Sequence, residues 1–321
     1  MSRTVGIIGA GSMGTALAQI VAKNTKVLLY ARRYEIAEDI NKNRVNSQYF
    51  PEIELNKNIF AVNTYEELKN VEIIFLCTPS SVIREIVTEL KSIVNDNCIF
   101  VNTAKGIEDK TNKRMTEVIG ELINTDVVAF SGPNIASEMV NYYPSSVSIA
   151  CNNKVSVNKV KKVLESNTFK VNTLDDVIGT EFCGIIKNVI AISQGICQGI
   201  GINYNAKFTV FTKSFSEAKD IIEILGGNRN TVDDYCGFGD IITASTLSVS
   251  RNQTLGVLYG KGIIVDEKAS GIVFEGKNTA KILKGMCDEL NIDSLTVNFV
   301  YEVIINKKNP KIEFNKLWEK L

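Results

Sequence analysis

Histidine is missing from this chain of 321 residues, and its absence excludes several kinds of chemistry. A His general base, a His metal ligand and a Ser-His nucleophile pair cannot be built. The seven cysteines are an odd number without a CxxC pair: Cys77, Cys98, Cys151, Cys183, Cys197, Cys236 and Cys287. We therefore expect no metal site, and we expect reduced thiols that mostly pack as small apolar residues.

Long apolar runs and an excess of one charge are missing as well. No window approaches the roughly 20 uninterrupted apolar residues of a membrane helix, and Met1–Thr4 lead into an apolar strand without a leader pattern. The 36 basic residues balance the 36 acidic ones, so no net field attracts nucleic acid or an anionic membrane. We expect a soluble, unexported, cytoplasmic protein that contacts neither nucleic acid nor the membrane interior.

Short apolar runs alternate with helix-length segments, such as Thr15–Lys23, Ser80–Val94 and Asn112–Leu122, over the first half of the chain. Runs such as Ile73–Leu76 are continuously apolar, which is typical of strands buried on both faces of a parallel sheet. This alternation predicts an α/β fold with a doubly wound parallel sheet. The predicted strands are Thr4–Ile8, Lys26–Tyr30, Asn58–Val62, Val71–Cys77, Cys98–Val101, Val127–Phe130, Val147–Ala150 and Phe169–Asn172.

The character of the sequence changes at about Gly179. Long helical patterns then follow one another without a clear strand, separated by turns such as Gly226-Gly227. We predict a sheet domain at residues 1–178 and an all-α domain at residues 179–321.

A glycine-rich turn follows the first strand directly. The segment Gly9-Ala10-Gly11-Ser12-Met13-Gly14 separates that strand from a helix. Gly9 permits the tight turn, Gly11 lets the backbone approach a pyrophosphate, and Gly14 allows the helix to pack against the strand. With the helix N-terminus facing the phosphates, this context predicts a dinucleotide site.

Two loops after strands carry residues that suit a ligand. Lys105 follows the predicted strand Cys98–Val101, and Gly132, Pro133 and Asn134 follow the next strand. Ligands bind at the carboxyl ends of strands in such sheets, where a lysine can neutralise a phosphate or polarise a carbonyl group. Taken singly, each could also be an ordinary surface loop.

The second half contributes three further candidates. Lys187 lies on a helix face with Gly184, Ala191, Gln194 and Gln198, where a buried lysine is costly unless it is paired or functional; extension of its amine to solvent is the alternative. Asp240 follows a Gly-Phe-Gly turn and could orient an ammonium group. Arg251 suits phosphate, because its planar donors bind two oxygens.

Taken together and in order, these segments resemble the NAD(P)-dependent glycerol-3-phosphate dehydrogenases. The resemblance implies a Rossmann-type N-terminal domain, an all-α C-terminal domain, and reversible hydride transfer between NAD(P)H and dihydroxyacetone phosphate. The product would be sn-glycerol 3-phosphate for glycerophospholipid synthesis. The matching pieces span nearly the whole chain: Gly9–Ala18, Lys105–Glu108, Ser131–Pro133, Gly184–Asn188, Gly237–Asp240, Ser250–Asn252 and Val273–Gly276.

The resemblance also implies roles for individual residues, with Lys187 as the catalytic acid/base. The residues implied to line the substrate are Lys105, Gly132, Asn134, Lys187, Asp240, Ser250, Arg251 and Asn252. Those implied to contact the cofactor, together with the glycines of the turn, are Ser12, Met13, Lys105, Ala136, Arg251, Val273 and Glu275. The implied ligands are the small-molecule substrate and NADP(H) and/or NAD(H), and a homodimer is one assembly that the sequence allows.

The end of the second strand bears on the choice of dinucleotide. A site selective for NAD usually has an Asp or Glu about 20 residues beyond the glycine turn. Here Arg32 and Arg33 follow the strand, and the first acid is Glu35. Two arginines can pair with a 2′-phosphate. We predict that both contact the cofactor and that NADPH is preferred or well accepted.

Two positions depart from the family pattern, and two other functions stay open. Met13 stands where an aromatic residue is usual, and Asn134-Ile135 replaces the usual Ser/Thr-Phe, although neither change removes a reacting group. The enzyme alternative is a β-hydroxyacid dehydrogenase or related reductase, against which Ser250–Asn252 and Val273–Gly276 argue. The other alternative is a dinucleotide-binding redox sensor, which the retention of both lysines and Asp240 disfavours.

Overall fold

A computed structural model describes residues 4–246, 250–266 and 274–321. Its contacts divide the chain into two compact units, which we call the first and the second unit. The first unit comprises residues 1–104 and 113–177, and the second comprises residues 105–112 and 178–321. The segment of residues 105–112 thus belongs with the second unit although it follows a strand of the first.

Eight strands form one sheet in the first unit, in the order β3-β2-β1-β4-β5-β6-β7-β8. All eight predicted strands are confirmed, and so is the doubly wound architecture, because the strand order runs outward in both directions from β1. The strands are β1 (Thr4–Ile8), β2 (Lys26–Tyr30), β3 (Ile59–Val62), β4 (Ile73–Leu76), β5 (Ile99–Asn102), β6 (Val127–Ser131), β7 (Ser145–Ala150) and β8 (Phe169–Leu174).

Strand β7 differs from its neighbours because it runs antiparallel to β6, whereas every other adjacent pair is parallel. A parallel crossover needs a dozen or more residues and usually a helix that spans the strand length. Only the four-residue helix Ala136–Met139 lies between β6 and β7. It is too short to return the chain to the other end of the sheet.

Helices cover both faces of this sheet, and the apolar side chains alternate between them. On β4, Ile73 and Phe75 belong to one buried cluster, and Ile74 and Leu76 belong to the other. This explains the continuous apolar runs, because successive residues of a strand point to opposite faces. The helices are α1 (Ser12–Val21), α2 (Tyr34–Asn43), α3 (Ile83–Leu90), α4 (Met115–Gly120), α5 (Ala136–Met139) and α6 (Lys154–Leu164), with 3₁₀ turns at Glu66–Leu68 and Ser80–Val82.

The second unit contains helices and no strand in its described residues, as predicted. A 3₁₀ turn (Arg229–Asp233) and a π-helical turn (Tyr235–Gly239) connect α8 to α9. The helices are α7 (Val177–Gly199, of which the first residue belongs to the first unit), α8 (Tyr204–Ile224), α9 (Asp240–Thr246), α10 (Arg251–Gly260), α11 (Glu275–Glu289), α12 (Leu295–Ile304) and α13 (Pro310–Trp318).

Helices α7 and α10 approach closely through paired glycines. A Cβ atom at Gly195 or Gly199 would overlap the backbone of α10, and one at Gly256 or Gly260 would overlap the backbone of α7. Side chains of ordinary size would hold two helices 8–10 Å apart. The glycines therefore set the short separation that places the N-terminus of α10 beside the middle of α7.

All seven cysteines are free thiols, and all but the half-buried Cys77 are buried. Within the described residues, no helix combines the length and the apolar character needed to cross a membrane.

Candidate active site

The glycine-rich turn has the geometry that its sequence indicates. Gly9 adopts a φ of 105°, and a Cβ there would lie 2.7 Å from the Cys77 carbonyl oxygen. A Cβ at Gly14 would overlap the Gly9 carbonyl, so helix α1 can pack this close only without a side chain. Gly11 is different, because a Cβ there would meet open space. The backbone at Gly11 is therefore bare and approachable.

The residues at the start of α1 fit a dinucleotide. Gly11 is the N-cap residue, and among the described residues no side chain caps the helix. The first N–H groups of a helix lack intrahelical partners and attract anions. Ser12 is exposed beside them, and the half-buried Met13 packs against the apolar core.

Arg32 and Arg33 both lie exposed directly after β2. The Arg33 guanidinium donates a hydrogen bond to Oε1 of Gln48, a neutral group that does not cancel its charge. Glu35 is exposed in the first turn of α2. Two cations therefore stand where an NAD-selective site usually carries a carboxylate.

Two lysines of the second unit share one buried aspartate. Nζ of Lys187 lies 2.9 Å from Oδ1 of Asp240, and Nζ of Lys105 donates to Oδ2 of the same carboxylate. The Asp240 side chain is 3% exposed, whereas those of Lys105 and Lys187 are 19% and 15% exposed. One carboxylate thus holds two ammonium groups side by side, with part of each still accessible.

Burial lowers the pKa of Lys105 to about 8. The nearby ammonium of Lys187 acts in the same direction, whereas Asp240 opposes both effects by stabilising the charged form. Lys105 can therefore exchange a proton near neutral pH, as a general acid or base requires.

Three local features of the chain position the side chains of Lys187, Asp240 and Lys105. Lys187 lies in the middle of α7, a helix of 23 residues. Asp240 begins α9 directly after the π-helical turn, where a Cβ at Gly237 would overlap the Val232 carbonyl. Gly237 thus allows the tight turn that precedes Asp240, and such π turns are frequent at functional sites. Lys105 is supplied by the segment of residues 105–112.

A chain of hydrogen bonds between amide groups fixes the backbone carbonyl of Lys105. Nδ2 of Asn188 donates to the Lys105 carbonyl at 3.2 Å, and Nδ2 of Asn252 donates to Oδ1 of Asn188 at 2.9 Å. The backbone N–H of Gly276 in turn donates to Oδ1 of Asn252 at 3.3 Å. No role was predicted for Asn188 from the sequence, although Asn188 directly follows Lys187 in the matching segment.

The N-terminus of α10 carries the candidate phosphate ligands. Oγ of Ser250 accepts a hydrogen bond from the Gln253 N–H at 3.3 Å, so it caps the helix. Arg251 is exposed at the first helical position, and Asn252 is half-buried. Glu275 opens α11, while Val273 lies outside the described residues.

The remaining predicted residues lie in the first unit after β6. The Asn134 N–H donates to the Gly132 carbonyl at 2.8 Å, and Nδ2 of Asn134 donates to the Ser146 carbonyl at 3.0 Å. Oδ1 of Asn134 is buried without a partner among the described residues. The Asn134 side chain therefore braces its own loop in this structure. Ala136 begins α5 and packs against the core.

Comparisons with known proteins agree with the sequence motifs. The family described as NAD-dependent glycerol-3-phosphate dehydrogenase matches with its N-terminus over residues 4–157 and with its C-terminus over residues 176–315. Glycerol-3-phosphate dehydrogenase (NAD(P)+) of Clostridium botulinum is 36% identical over 98% of this chain and 96% of its own length. The enzyme of the same name from Halothermothrix orenii is 34% identical over 99% and 95%. The crystal structure of glycerol-3-phosphate dehydrogenase from Coxiella burnetii is similar with a TM-score of 0.91 and 28% identity, covering 99% of both chains.

Proposed function

The chain belongs to the NAD-dependent glycerol-3-phosphate dehydrogenase family, and from this premise we propose which of its residues bind the cofactor, bind the substrate and transfer the proton. It is an oxidoreductase that uses NAD(P). The reaction is reversible hydride transfer between NAD(P)H and dihydroxyacetone phosphate, which gives sn-glycerol 3-phosphate. We further propose that this product feeds glycerophospholipid synthesis in the cytoplasm.

In this proposal the first unit holds the dinucleotide. Gly9, Gly11 and Gly14 with Ser12 and Met13 form the pyrophosphate site at the start of α1, which the open space at Gly11 supports. Arg32 and Arg33 take the 2′-phosphate of NADPH, and Ala136 lies along the cofactor. The family resemblance also assigns Lys105, Arg251, Val273 and Glu275 to the cofactor. When bound, the nicotinamide supplies or accepts the hydride.

Proton transfer belongs to the lysines. Reduction of the ketone develops negative charge on the carbonyl oxygen, which needs a proton and nearby positive charge. Lys187 is the acid/base, and Lys105 stabilises the oxygen and can pass a proton near neutral pH. Asp240 fixes both ammonium groups by accepting one hydrogen bond on each oxygen. The observation that carries the proposal is this shared carboxylate.

Substrate binding places the phosphate away from the reacting carbon. Arg251 binds two phosphate oxygens through its planar guanidinium, with Asn252 and Ser250 beside it at the start of α10. The family resemblance also assigns Gly132 and Asn134 to the substrate, and Oδ1 of Asn134 has no hydrogen-bond partner among the described residues. Anchoring the phosphate lets remote binding energy position the carbonyl group.

The test is whether purified protein consumes NADPH or NADH when dihydroxyacetone phosphate is added. Turnover with dihydroxyacetone phosphate, and none without it, supports the proposal. Faster turnover with a 2-keto or 3-keto carboxylate would favour a β-hydroxyacid dehydrogenase. Tight NADPH binding with no turnover of any substrate would favour a redox sensor.

A homodimer is the assembly we propose, formed by the exposed face at the start of α8. Tyr204 is 75% and Phe208 48% exposed, and their rings stack 6.5 Å apart. A two-fold interface brings the same patch of both copies together, so a charged patch would meet its own charge. The exposed residues Tyr204, Asn205, Phe208, Thr209 and Thr212 of this face are neutral, and the exposed Lys213 that follows them pairs with Glu217 at 3.7 Å, which limits that repulsion.

Sedimentation tests the dimer. We expect wild type to sediment as a dimer and Phe208→Glu as a monomer, since the substitution would set two carboxylates against each other across the two-fold axis. The control Ile312→Glu changes an exposed apolar residue on α13 and should stay dimeric. A monomeric wild type, or a dimeric Phe208→Glu, would contradict the proposal.

A further inference from the structure

An irregular segment of the first unit, residues 44–58, connects α2 to β3 without a helix or strand of its own. Connections of this length without regular structure are uncommon in compact domains and usually serve a function. The segment is fastened to α1, because Oε1 of Gln19 accepts from the Asn56 N–H at 2.6 Å and Nε2 of Gln19 donates to the Glu54 carbonyl at 3.2 Å. It is therefore an ordered element beside the glycine-rich turn.

Asn46 extends from this segment to both ends of the turn. Its Nδ2 donates to the Ala10 carbonyl at 3.1 Å and to Oγ1 of Thr15 at 2.8 Å. Because a backbone carbonyl can only accept, the amide must present its nitrogen to Ala10. Ala10 lies within the turn, and Thr15 follows it in the first turn of α1. One side chain thus links the turn to the helix that it precedes.

The oxygen atom of the same amide is in a different situation from the nitrogen. Oδ1 of Asn46 is buried with no hydrogen-bond partner among the described residues, and the residue as a whole is 1% exposed. A buried acceptor without a partner destabilises a fold, and each such group in a native protein calls for an explanation. The hydrogen bonds of the same amide to the Ala10 carbonyl and to Thr15 supply one.

We propose that Asn46 is a positioning residue for the dinucleotide. By fixing the Ala10 carbonyl and Thr15, it holds the first N–H groups of α1 in the orientation that a pyrophosphate requires before the cofactor arrives. A preorganised site binds more tightly, because the cost of ordering is already met in the free protein. The inference rests on the proposed function, since it assumes that the turn binds NAD(P).

The experiment measures the NADPH dissociation constant of Asn46→Ala by fluorescence titration and its kinetics with dihydroxyacetone phosphate. We expect the dissociation constant to rise about tenfold, as the loss of one to two hydrogen bonds implies. At saturating NADPH, kcat and the KM for dihydroxyacetone phosphate should keep their wild-type values. A general loss of fold would instead change all three quantities or reduce the active fraction.

Asn24→Ala is the matched control. Nδ2 of Asn24 also donates to two acceptors, the carbonyls of Val163 at 3.1 Å and Glu165 at 3.0 Å, but beyond the opposite end of α1. It should lower the free energy of unfolding without changing the dissociation constant. Thr15→Val, which removes the acceptor, should weaken NADPH binding, whereas Thr15→Ser, which keeps it, should not. Combining Thr15→Val with Asn46→Ala should cost less than the sum of the two, because they share one hydrogen bond.

A wild-type dissociation constant in Asn46→Ala, or the same increase in Asn24→Ala, would overturn the positioning role. If Asn46→Ala does not fold, the comparison of Thr15→Val with Thr15→Ser decides the question alone. The failure of the proposed function looks different, because the wild type would then bind neither dinucleotide or reduce no dihydroxyacetone phosphate. Wild-type turnover with an unaffected Asn46→Ala would reject only the inference made here.

Discussion

Asp240 decides what the two lysines can do. With its side chain 3% exposed, its carboxylate is largely removed from water, and each oxygen accepts from one ammonium group. Without Asp240 the two cations would repel each other across a poorly solvated site. With it, one of them can give up a proton while the other keeps its charge, as the proposed mechanism requires.

Replacing Lys187 tests the acid/base assignment. We expect Lys187→Ala to lower kcat by about 10²–10⁴-fold, the usual contribution of a general acid or base, while the NADPH dissociation constant stays unchanged. Lys219→Ala is the matched control, since Lys219 pairs with Asp233 at 2.7 Å in the same unit. Near-normal turnover in folded Lys187→Ala would remove the assignment.

The pH dependence of reduction tests Lys105. Its pKa is lowered to about 8, so its ammonium form is lost as the pH rises through that value. Reduction needs positive charge beside the carbonyl oxygen, and kcat/KM for dihydroxyacetone phosphate should therefore fall above about pH 8. Lys105→Arg keeps its charge over this range and should lose that limb of the profile, at a lower rate. An unchanged profile in Lys105→Arg would assign the limb to another group.

Arg32 and Arg33 should decide between NADPH and NADH. In the double variant Arg32→Ala, Arg33→Ala we expect kcat/KM for NADPH to fall roughly tenfold or more, as the loss of a charge-assisted hydrogen bond implies. NADH should be little affected. Arg84→Ala is the control, because Arg84 lies 38% exposed in the same unit and pairs with Glu121. If the double variant uses NADPH as well as wild type, neither arginine contacts the 2′-phosphate.

Sequence alone named candidate reacting residues but could not place them. Lys105, Lys187 and Asp240 were chosen from separate motifs, and only the fold brings the two lysines to one carboxylate. Asn46 and Asn188 escaped prediction for a physical reason. Their roles lie in hydrogen bonds to backbone carbonyls, and nothing in the residue type or its spacing distinguishes such an asparagine from one at the surface.

At the scale of elements, the contact of α7 with α10 depends on the absence of four side chains. The face of α7 that meets α10 carries Gly195 and Gly199, one turn apart, and the facing side of α10 carries Gly256 and Gly260. Both glycines continue the i, i+4 row of Lys187 and Ala191, the face to which the sequence drew attention, but the sequence did not single them out. The close packing is what brings Asn252 within hydrogen-bonding distance of Asn188.

Two glycine-to-alanine changes should have opposite effects on stability. At Gly256 a Cβ overlaps the Ile192 carbonyl, so Gly256→Ala should cost about 1–3 kcal/mol of unfolding free energy, as overpacking does. At Gly285, within α11, a Cβ meets open space, and Gly285→Ala should gain about 0.5–1 kcal/mol from helix propensity. Urea unfolding measures both. Equal effects at the two positions would show that the contact of α7 with α10 is not close.

Strands were easier to predict than their directions. The eight apolar runs are bounded by turn residues, and burial on both faces makes each run continuous, so period and length identify them. The reversal of β7 depends on how little helix separates it from β6. Likewise, the periodicity of residues 44–58 does not predict that this irregular segment donates a hydrogen bond to the glycine-rich turn.

The division of the molecule into two units does not follow a single boundary along the chain. Residues 105–112 lie between β5 and α4 in the chain, yet they form part of the second unit and supply it with Lys105. The boundary at residues 178/179 that the sequence predicts stays a prediction, because a composition change along the chain cannot reveal a segment that crosses over. In the structure, the Asn188 amide holds the Lys105 carbonyl on the helical side.

Native-state hydrogen exchange tests this division in the full chain. Glu217 is buried, and its carboxylate accepts from Oγ of Ser294 at 2.7 Å and from the N–H groups of Leu295 and Thr296 at 3.0 Å, so it caps α12. Glu217→Ala leaves these donors unpaired and should destabilise the second unit by about 1–3 kcal/mol. Since amides of one cooperative unit lose protection together, exchange should accelerate in α12 and in residues 105–112 but not in β5. Asn24→Ala, which weakens the first unit, should give the reverse pattern. Residues 105–112 that follow β5 in both variants would place the segment with the sheet.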